Sequence, residues 1–177
     1  MTIRIKTESG WKTWSDFNDF VRSGLSDAGS MFANDRFTRN GTTPQLDTQN
    51  VTNMGYMFSE CSSLVEVPQL NTQNVTNMNG MFIGCSSLVK VSLLDAQSVT
   101  SAGHMFFNCS SLESVRLYGL SRSVSVSNTK LNATELNRLF ESLGVAQGSQ
   151  TISINNTPGA ATCNRSIATK KGWTVSG

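Results

Sequence analysis

Apolar residues recur at intervals of 24 positions through the middle of the chain, and mainly polar residues fill the positions between them. Residues 46–117 contain three copies of one pattern, each with a valine, a Met-Phe pair, a cysteine, a leucine and a second valine. The matching residues are Val51, Val75 and Val99; Met57-Phe58, Met81-Phe82 and Met105-Phe106; Cys61, Cys85 and Cys109; Leu64, Leu88 and Leu112; and Val67, Val91 and Val115. A unit of this length cannot bury its own apolar face, so each copy must stack on its neighbours. The pattern therefore predicts a short solenoid.

One part of each repeat has the spacing of a strand. In the third copy a leucine, a valine and Leu117 follow at intervals of 3 and then 2 residues, which is typical of a bend followed by a strand with alternating faces. The same L-x-x-L-x-L spacing occurs in leucine-rich repeats. We expect Leu93 to take the position of Leu117 in the second copy. In the first copy Gln69 stands there, and its neighbour Leu70 can replace it.

The other part of each repeat predicts a short helical turn. Asn53, Asn77 and Ser101 precede the Met-Phe pairs, and asparagine and serine cap helices because their side-chain oxygens accept a backbone N–H. A turn is expected to begin one residue later in each copy. The predicted fold class is an α/β solenoid: a short leucine-rich-repeat-like stack of parallel strands with one short helical turn per 24-residue repeat, capped at both ends.

Both flanks are expected to continue the stack and close its ends. Residues 25–35 are a worn copy of residues 51–61, with Asp35 in place of a cysteine, and the charges around them suit a polar outer side. Residues 118–177 predict strands at 123–128, 150–154 and 173–175, a helix at 131–143 capped by Asn132, and a short helix at 166–171. The chain is thus predicted to be a single solenoid domain over 1–177, with an N-terminal segment and cap at 1–45, three repeats at 46–117 and a C-terminal repeat and cap at 118–177.

Three of the four cysteines share one position of the repeat. Cys61, Cys85 and Cys109 are expected to lie about 4.8 Å apart along the stack, which is within disulfide range by distance alone. Their side chains run parallel, however, and a row of three leaves one thiol unpaired. Zinc needs ligands that converge from closely spaced pairs. We therefore expect small buried thiols rather than disulfides or a metal site.

Composition and charge exclude several function classes. The net charge is +2, and within the three repeats the basic residues are Lys90 and Arg116, so no basic patch for nucleic acid is expected. The first residues lack the apolar run of a secretory signal, and no stretch has membrane-spanning length. We expect synthesis in a cytoplasm, no membrane insertion and no cofactor.

Candidate catalytic and metal-binding groups are few. His104 is the single histidine, and the chain has no G-x-S-x-G motif around a serine nucleophile. Asp47 and Asp95 lack the ligand spacing of a calcium loop. The repeats offer no facing pair of carboxylates for glycoside hydrolysis. We therefore predict a protein that is not an enzyme and holds no metal.

Threonines also recur at equivalent positions, as in Thr52, Thr76 and Thr100. A flat threonine array can order water or ice, but the second row, at Thr48 and Thr72, breaks at Ala96. We expect these hydroxyls to bond the backbone of turns instead.

The positions that the repeat leaves free are the candidate binding surface. Exposed positions that differ from copy to copy form the binding surfaces of solenoids. Tyrosine, arginine and phenylalanine among them favour an interface, and neutral variation at solvent positions is the alternative. The candidates are Glu66, Lys90, Ser114, Pro68, Ser92 and Arg116 on the strand, and Tyr56, His104 and Phe107 near the turn.

The string V-T-N-M-x-x-M-F-x-x-C-S-S-L, at residues 51–64 and 75–88 and degraded at 99–112, closely resembles the BspA-like leucine-rich repeats of bacterial surface proteins. The resemblance covers residues 46–117 and extends more weakly into the N-terminal cap. It implies adhesion to host proteins or cell surfaces without catalysis. The chain differs from the secreted members in lacking an export signal.

A second resemblance concerns the two ends of the chain. The region from residue 128 to residue 177, with LNATELNRLFESL and NTPGAATCNRSIATKKGWTV, is similar to the cap of leucine-rich-repeat proteins encoded by bacteriophages. The opening IRIKTESGWKTW resembles the start of phage structural proteins. Phage proteins reach the outside by lysis, so this resemblance implies a virion location without a signal peptide.

Three functions are compatible with these patterns. The first is a non-enzymatic phage virion surface protein that presents a leucine-rich-repeat surface to a host envelope protein or glycan, in multiple copies and beside other virion proteins. The alternative is a capsid or tail decoration protein that clamps neighbouring virion subunits. The second alternative is a bacterial surface adhesin.

Overall fold

The computed structural model describes residues 3–7, 10–14, 32, 48–67 and 69–177. An N-terminal antiparallel hairpin pairs β1 (Ile3–Thr7) with β2 (Gly10–Trp14). The remaining elements are β3 (Lys90–Asp95), β4 (Ser114–Tyr118), β5 (Val124–Ser125), α1 (Ala133–Ser142), β6 (Gln150–Ser153), α2 (Ser166–Thr169) and β7 (Trp173–Ser176). Strands β3 and β4 form one parallel sheet, and β5, β6 and β7 form a second parallel sheet in that order. Most of the N-terminal cap predicted within 1–45 lies outside the described residues.

Residues one repeat apart lie side by side with parallel backbones. On one side of the repeat, Asn77 pairs with Asn53 of the preceding copy and with Ser101 of the following copy. On the other side, Glu66 pairs with Lys90. Because neighbouring copies are in register at these points, equivalent side chains of the three copies form rows. The solenoid as a whole stays a prediction, and these rows are the local geometry from which it would be built.

A row of stacked phenylalanines runs through the core. Phe58, Phe82 and Phe106 are buried, and successive ring centroids lie 5.6 Å apart with planes 4° and 11° from parallel. Phe32 stacks on Phe58 at 5.4 Å, and its N–H donates to a main-chain carbonyl of the first copy at 2.8 Å. Phe32 therefore occupies the row position that the alignment of residues 25–35 assigns to it. Each stacked pair contributes on the order of 0.5–1.5 kcal/mol beyond the burial of its surface.

Consecutive tight turns replace the short helical turn expected in each copy. In the first copy the Met57 N–H donates to the Met54 carbonyl at 3.2 Å, and the Ser59 N–H donates to the Tyr56 carbonyl at 3.0 Å. Tyr56 and Glu60 have φ angles of 57° and 60°, in the left-handed region that a right-handed helix does not contain. A residue other than glycine costs about 1–2 kcal/mol there. The expected helix is absent from this segment because the backbone changes hand twice.

A β-bulge makes the strand register in the second copy differ from the predicted one. Alignment by 24 residues places Leu93 beside Leu117 in the core, but Leu93 pairs with Arg116 and is 62% exposed. Leu94 instead pairs with Leu117, and both of these leucines are buried. The first half of β3 contains one residue more than the facing part of β4, which turns the following side chain to the other face. The predicted core position of Leu93 was therefore wrong.

The C-terminal elements form close to where the sequence predicts them. Asn132 caps α1, its side-chain oxygen accepting the Glu135 N–H at 3.0 Å, and one face of the helix is buried through Leu136, Leu139 and Phe140. The strand predicted at 123–128 is present only as β5, whereas β6, α2 and β7 end within two residues of their predicted limits. The apolar spacing of this flank therefore encodes the observed elements directly.

Two C-terminal segments repeat each other at 28 residues, a period that the 24-residue pattern does not predict. Residues 125–129 read SVSNT, and residues 153–157 read SINNT. In both segments the threonine hydroxyl donates to the carbonyl three residues earlier at 2.8 Å. Asn156 donates its side-chain amide to Oδ1 of Asn128 at 2.9 Å, and both residues have left-handed φ angles. The row-upon-row arrangement thus continues into the C-terminal flank with longer copies.

One lysine closes the C-terminal end of α1. Nζ of Lys171 donates to the main-chain oxygens of Phe140, Glu141 and Leu143 at 3.1, 2.7 and 2.6 Å. The last carbonyls of a helix have no intrahelical partner, and a positive charge there complements the helix dipole. Trp173 donates its Nε1–H to the main-chain oxygen of Gly144 at 2.9 Å. The chain before and within β7 therefore holds the end of α1 in place.

We expect Lys171→Met to lower the free energy of unfolding by about 1–3 kcal/mol, because the end of α1 loses a charged donor. Urea denaturation followed by circular dichroism measures this change. Lys170→Met is the matched control, since Lys170 is an exposed neighbour of the same charge, and we expect a change below about 0.5 kcal/mol. Equal losses in both variants would contradict the capping role.

Candidate functional site

The variable positions on the strand side of the repeat form an exposed row. Lys90 pairs with Glu66 in the first copy and with Ser114 in the third through the parallel backbone. The side chains of Glu66, Lys90 and Ser92 are exposed, whereas Ser114 is half-buried. Pro68 lies outside the described residues. The structure therefore brings one acidic and one basic candidate together on the surface in adjacent copies.

Arg116 is engaged within the chain. Its Nη1 lies 3.0 Å from Oε2 of Glu135 in α1 and donates to the main-chain oxygen of Val115 at 2.8 Å. Arg138 donates to the other carboxylate oxygen of Glu135 at 2.8 Å. Partial burial raises the pKa of Glu135, but hydrogen bonds from Ser114, Arg116 and Arg138 outweigh it and hold the pKa below its usual value. Arg116 thus links β4 to α1, and its role in binding stays a prediction.

Two exposed apolar residues beside this row were not among the sequence candidates. Leu93 is 62% exposed and Tyr118 is 50% exposed. The bulge turns Leu93 outward, and Tyr118 pairs with Asp95 at the end of β4. The available signal was the doublet of Leu93 and Leu94, since only one of two adjacent strand residues can face the core. We define the strand row as Glu66, Lys90, Ser92, Leu93 and Tyr118.

The variable positions near the turns form a second exposed surface, which we call the turn face and define as Tyr56, Glu60, His104 and Phe107. Tyr56 and Phe107 are 43% and 44% exposed. The rings of His104 and Phe107 meet edge to face, with centroids 6.3 Å apart and planes at 85°. The structure thus brings two of the three predicted turn candidates into direct contact, in the third copy.

Asn79 of the second copy connects the turn face across all three copies. Its Nδ2 donates to the Tyr56 hydroxyl of the first copy at 2.9 Å. Its Oδ1 accepts the main-chain N–H of His104 in the third copy at 3.3 Å. The position of the Tyr56 ring is therefore fixed at its hydroxyl end.

Two glycines of the second copy make room for side chains of the first. The ring of Tyr56 occupies the space that a Cβ on Gly80 would take, and the carboxylate of Glu60 occupies the corresponding space at Gly84. Both glycines have left-handed φ angles, of 62° and 74°. Tyr56 and Glu60 thus lie over the backbone of the next copy, and both residues remain exposed.

Asparagine and threonine side chains also bond the backbone between copies. The Asn77 amide donates to Oδ1 of Asn53 at 2.9 Å, and Oδ1 of Asn77 accepts the Asn79 N–H at 3.0 Å. Thr76 and Thr100 each donate a hydroxyl to the main-chain oxygen of the equivalent residue one copy earlier, at 3.1 Å. The prediction of backbone-bonding threonines is confirmed for these two residues, and the asparagines cap turns rather than helices.

The repeated cysteines are buried thiols. Each of Cys61, Cys85 and Cys109 donates its Sγ–H at 3.0 Å to the main-chain carbonyl of the phenylalanine one copy earlier. All four cysteines are free, and Cys163 is half-buried. Burial raises the pKa of Cys109 to about 12, and burial also raises the pKa of Cys85. The expectation of buried thiols without disulfides is confirmed.

Among the residues that the structure describes, no group of three or more histidine, cysteine, aspartate or glutamate side chains is placed to hold a metal ion. No helix in that part of the chain is both long enough and apolar enough to cross a membrane.

Residues 7–144 match a protein-family model described as "Mycoplasma protein of unknown function, DUF285". The matched region contains all three copies of the repeat, both exposed surfaces and helix α1. No curated protein matches the chain significantly, and neither does any solved structure.

We expect a thiol reagent such as DTNB to modify only Cys163 rapidly in the native protein, because the other three thiols are buried and out of reach of the reagent. Release of the coloured thiolate counts the groups that react. All four thiols should react in concentrated guanidinium chloride, and Cys163→Ser should abolish the fast phase in native protein. Fast modification of more than one thiol in the native state would contradict the packing of the cysteine row.

Proposed function

The chain belongs to the DUF285 family, and we propose that it is a non-enzymatic binding protein that recognises a protein or glycan on a host cell envelope. In this proposal the repeats form a leucine-rich-repeat-like solenoid. The strand row and the turn face supply the side chains that contact the partner.

The observation that carries the proposal is the division of each repeat into a constant buried part and a variable exposed part. The Met-Phe pairs, the cysteines and the leucines recur and are buried in all three copies. At exposed positions the chain differs between copies, with Glu66 beside Lys90 on the strand row and Tyr56 and His104 at equivalent turn positions. Variation at exposed positions around a largely constant buried frame is the arrangement by which repeat proteins build binding surfaces.

The physical properties of the surface suit recognition without chemistry. Preorganised side chains lose less conformational entropy on binding, and Tyr56 is already fixed by its hydrogen bond with Asn79. Tyr56, Tyr118 and Phe107 provide exposed aromatic area, which is enriched in protein interfaces. The surface therefore combines rigid aromatic groups with the charges of Glu66 and Lys90.

The finer form of the proposal is a BspA-like adhesive repeat protein. It is supported by the string V-T-N-M-x-x-M-F-x-x-C-S-S-L, which occurs at residues 51–64 and 75–88. The parallel pairing of Asn53 with Asn77 and of Glu66 with Lys90 is the local arrangement that stacked repeats require.

We further propose that the protein is carried on a phage virion, in multiple copies and in contact with other virion proteins. Support for this location comes from the resemblance of residues 128–177 to the caps of phage-encoded leucine-rich-repeat proteins. A decoration protein that clamps neighbouring virion subunits is the alternative within the same location.

The strand row is tested by replacing its two charges. Purified protein is first screened against a panel of bacterial and animal cells by flow cytometry to find a cell type that it binds. We expect Glu66→Ser with Lys90→Ser to weaken binding to those cells by at least about tenfold, because both side chains are exposed and adjacent.

The matched control is Lys130→Ser with Glu141→Ser, which removes the same pair of exposed charges outside the repeats. Thermal denaturation verifies that both double variants remain folded. Full retention of cell binding in the Glu66 and Lys90 variant, or an equal loss in the control, would contradict the placement of the site.

The virion location is tested with an antibody raised against the chain. We expect immunogold label on purified phage particles, in several copies and at the tail or its fibres. Label distributed over the capsid shell would favour the decoration role. Label on the bacterial surface without label on particles would replace the virion proposal with the bacterial adhesin.

A further inference from the structure

Tyr56 and Glu60 are held in an unfavourable backbone conformation where the next copy uses glycine. Their φ angles are 57° and 60°, and the equivalent Gly80 and Gly84 have φ angles of 62° and 74°. Glycine adopts this region without strain, whereas a bulky aromatic residue rarely does. The first copy therefore carries two large side chains at positions where the fold itself is satisfied by glycine. Strained positions of this kind often serve function rather than stability.

The two side chains are presented in the same way and on the same surface. The Tyr56 ring lies over Gly80 and the Glu60 carboxylate lies over Gly84, so each rests on the backbone of the second copy. Asn79 holds the tyrosine hydroxyl at 2.9 Å, and the ring is still 43% exposed. An exposed tyrosine whose ring rests on Gly80 thus stands four residues before an exposed carboxylate.

The turn segments of the three copies carry a negative charge and contain no lysine or arginine. Glu60 forms no ion pair with any residue that the structure describes. Residues 51–64, 75–88 and 99–112 contain no lysine or arginine, and Glu60 is their only carboxylate. No lysine or arginine of these segments can therefore pair with Glu60, whose exposed carboxylate is open to a cation that approaches this surface.

We propose that Tyr56 and Glu60 form a receptor for an arginine side chain of a partner protein. A guanidinium group stacks on the face of a tyrosine ring, and its planar fork donates charge-assisted hydrogen bonds to a carboxylate. Both complementary groups are present here, and both are supported from below by glycines. The inference deepens the proposed function, on which it rests for the partner, by selecting a basic protein segment over a glycan for this part of the turn face.

The experiment uses a fluorescent tetra-arginine peptide and an otherwise identical tetra-citrulline peptide, which keeps the shape of the side chain but removes its charge. We expect the full chain to bind the arginine peptide and to bind the citrulline peptide at least about tenfold more weakly in fluorescence anisotropy. Amide shifts in an NMR titration should be largest around residues 56–60 and 79–84.

Single substitutions then assign the site. Tyr56→Gly and Glu60→Gln should each weaken peptide binding by at least about fivefold, since each removes one of the two attractive groups. Glu141→Gln is the matched control, because it removes one exposed carboxylate that lies outside both the strand row and the turn face, and it should change the affinity less than about twofold. Glu60→Gly should leave the urea midpoint unchanged or raised, because glycine relieves the left-handed strain.

Equal binding of both peptides, no detectable binding of the arginine peptide, or equal losses in Glu60→Gln and Glu141→Gln would overturn the arginine receptor. These outcomes are distinguishable from failure of the proposed function. Cell binding that still depends on Glu66 and Lys90 leaves the binding protein standing without the arginine receptor. A lower urea midpoint in Glu60→Gly would show that Glu60 stabilises the fold and would overturn the inference.

Discussion

Register between successive copies is the constraint on which the rest of the structure depends. Backbone N–H groups of one copy donate to carbonyls of the next, as Met54 donates to Asn77 at 2.8 Å and Phe58 donates to Met81 at 2.9 Å. Once these bonds are made, a side chain lies beside its equivalent one copy away wherever the register is kept. A side chain that packs well against an identical neighbour, such as the phenylalanine of the stacked row, then packs well along the whole row. The same constraint places a thiol beside a phenylalanine carbonyl in each copy, and the amide of Asn77 beside the side-chain oxygen of Asn53.

The C-terminal flank packs against the third copy with different chemistry. Beyond β4 the copies lengthen, and α1 packs beside the strand that ends the three repeats. The helix brings carbonyls without partners, which Lys171 and Trp173 satisfy, and a carboxylate that joins Arg116. The contacts that hold this flank therefore involve charged and mixed side chains, whereas the repeated copies are held by identical ones.

The sequence predicts the parts of the fold that follow from periodic burial. The buried rows, the cap at Asn132 and the replacement of Gln69 by Leu70 all follow from where apolar or capping residues stand. The bulge in β3 was missed because the 24-residue spacing of Val91 and Val115 is intact, and the doublet of Leu93 and Leu94 was the one signal of it. The left-handed turns were missed for a different reason. Tyrosine and glutamate disfavour that conformation locally, and only the glycines of the second copy show what the backbone requires.

The candidate site was predicted in part for the same reason. Variation between copies correctly separates exposed positions such as Glu66 and Lys90 from the buried ones. It does not show that Arg116 has a partner in α1, because Glu135 belongs to a segment outside the repeat. It also does not show that Leu93 faces outward or that Glu60 lies over Gly84. Those features depend on contacts between neighbouring copies, and an alignment of the copies as separate sequences does not show such contacts.

Self-complementary rows give the gene a simple way to change the length of the protein. When the top of each copy matches the bottom of any other, an in-frame duplication or deletion of one whole unit preserves every contact within the stack. The near-identical stretches at residues 51–64 and 75–88 are also the kind of sequence on which recombination acts. Selection can then lengthen or shorten the exposed face by whole copies while both ends stay the same. The asparagines, cysteines and phenylalanines that look redundant in a single molecule are what keep such rearranged descendants foldable.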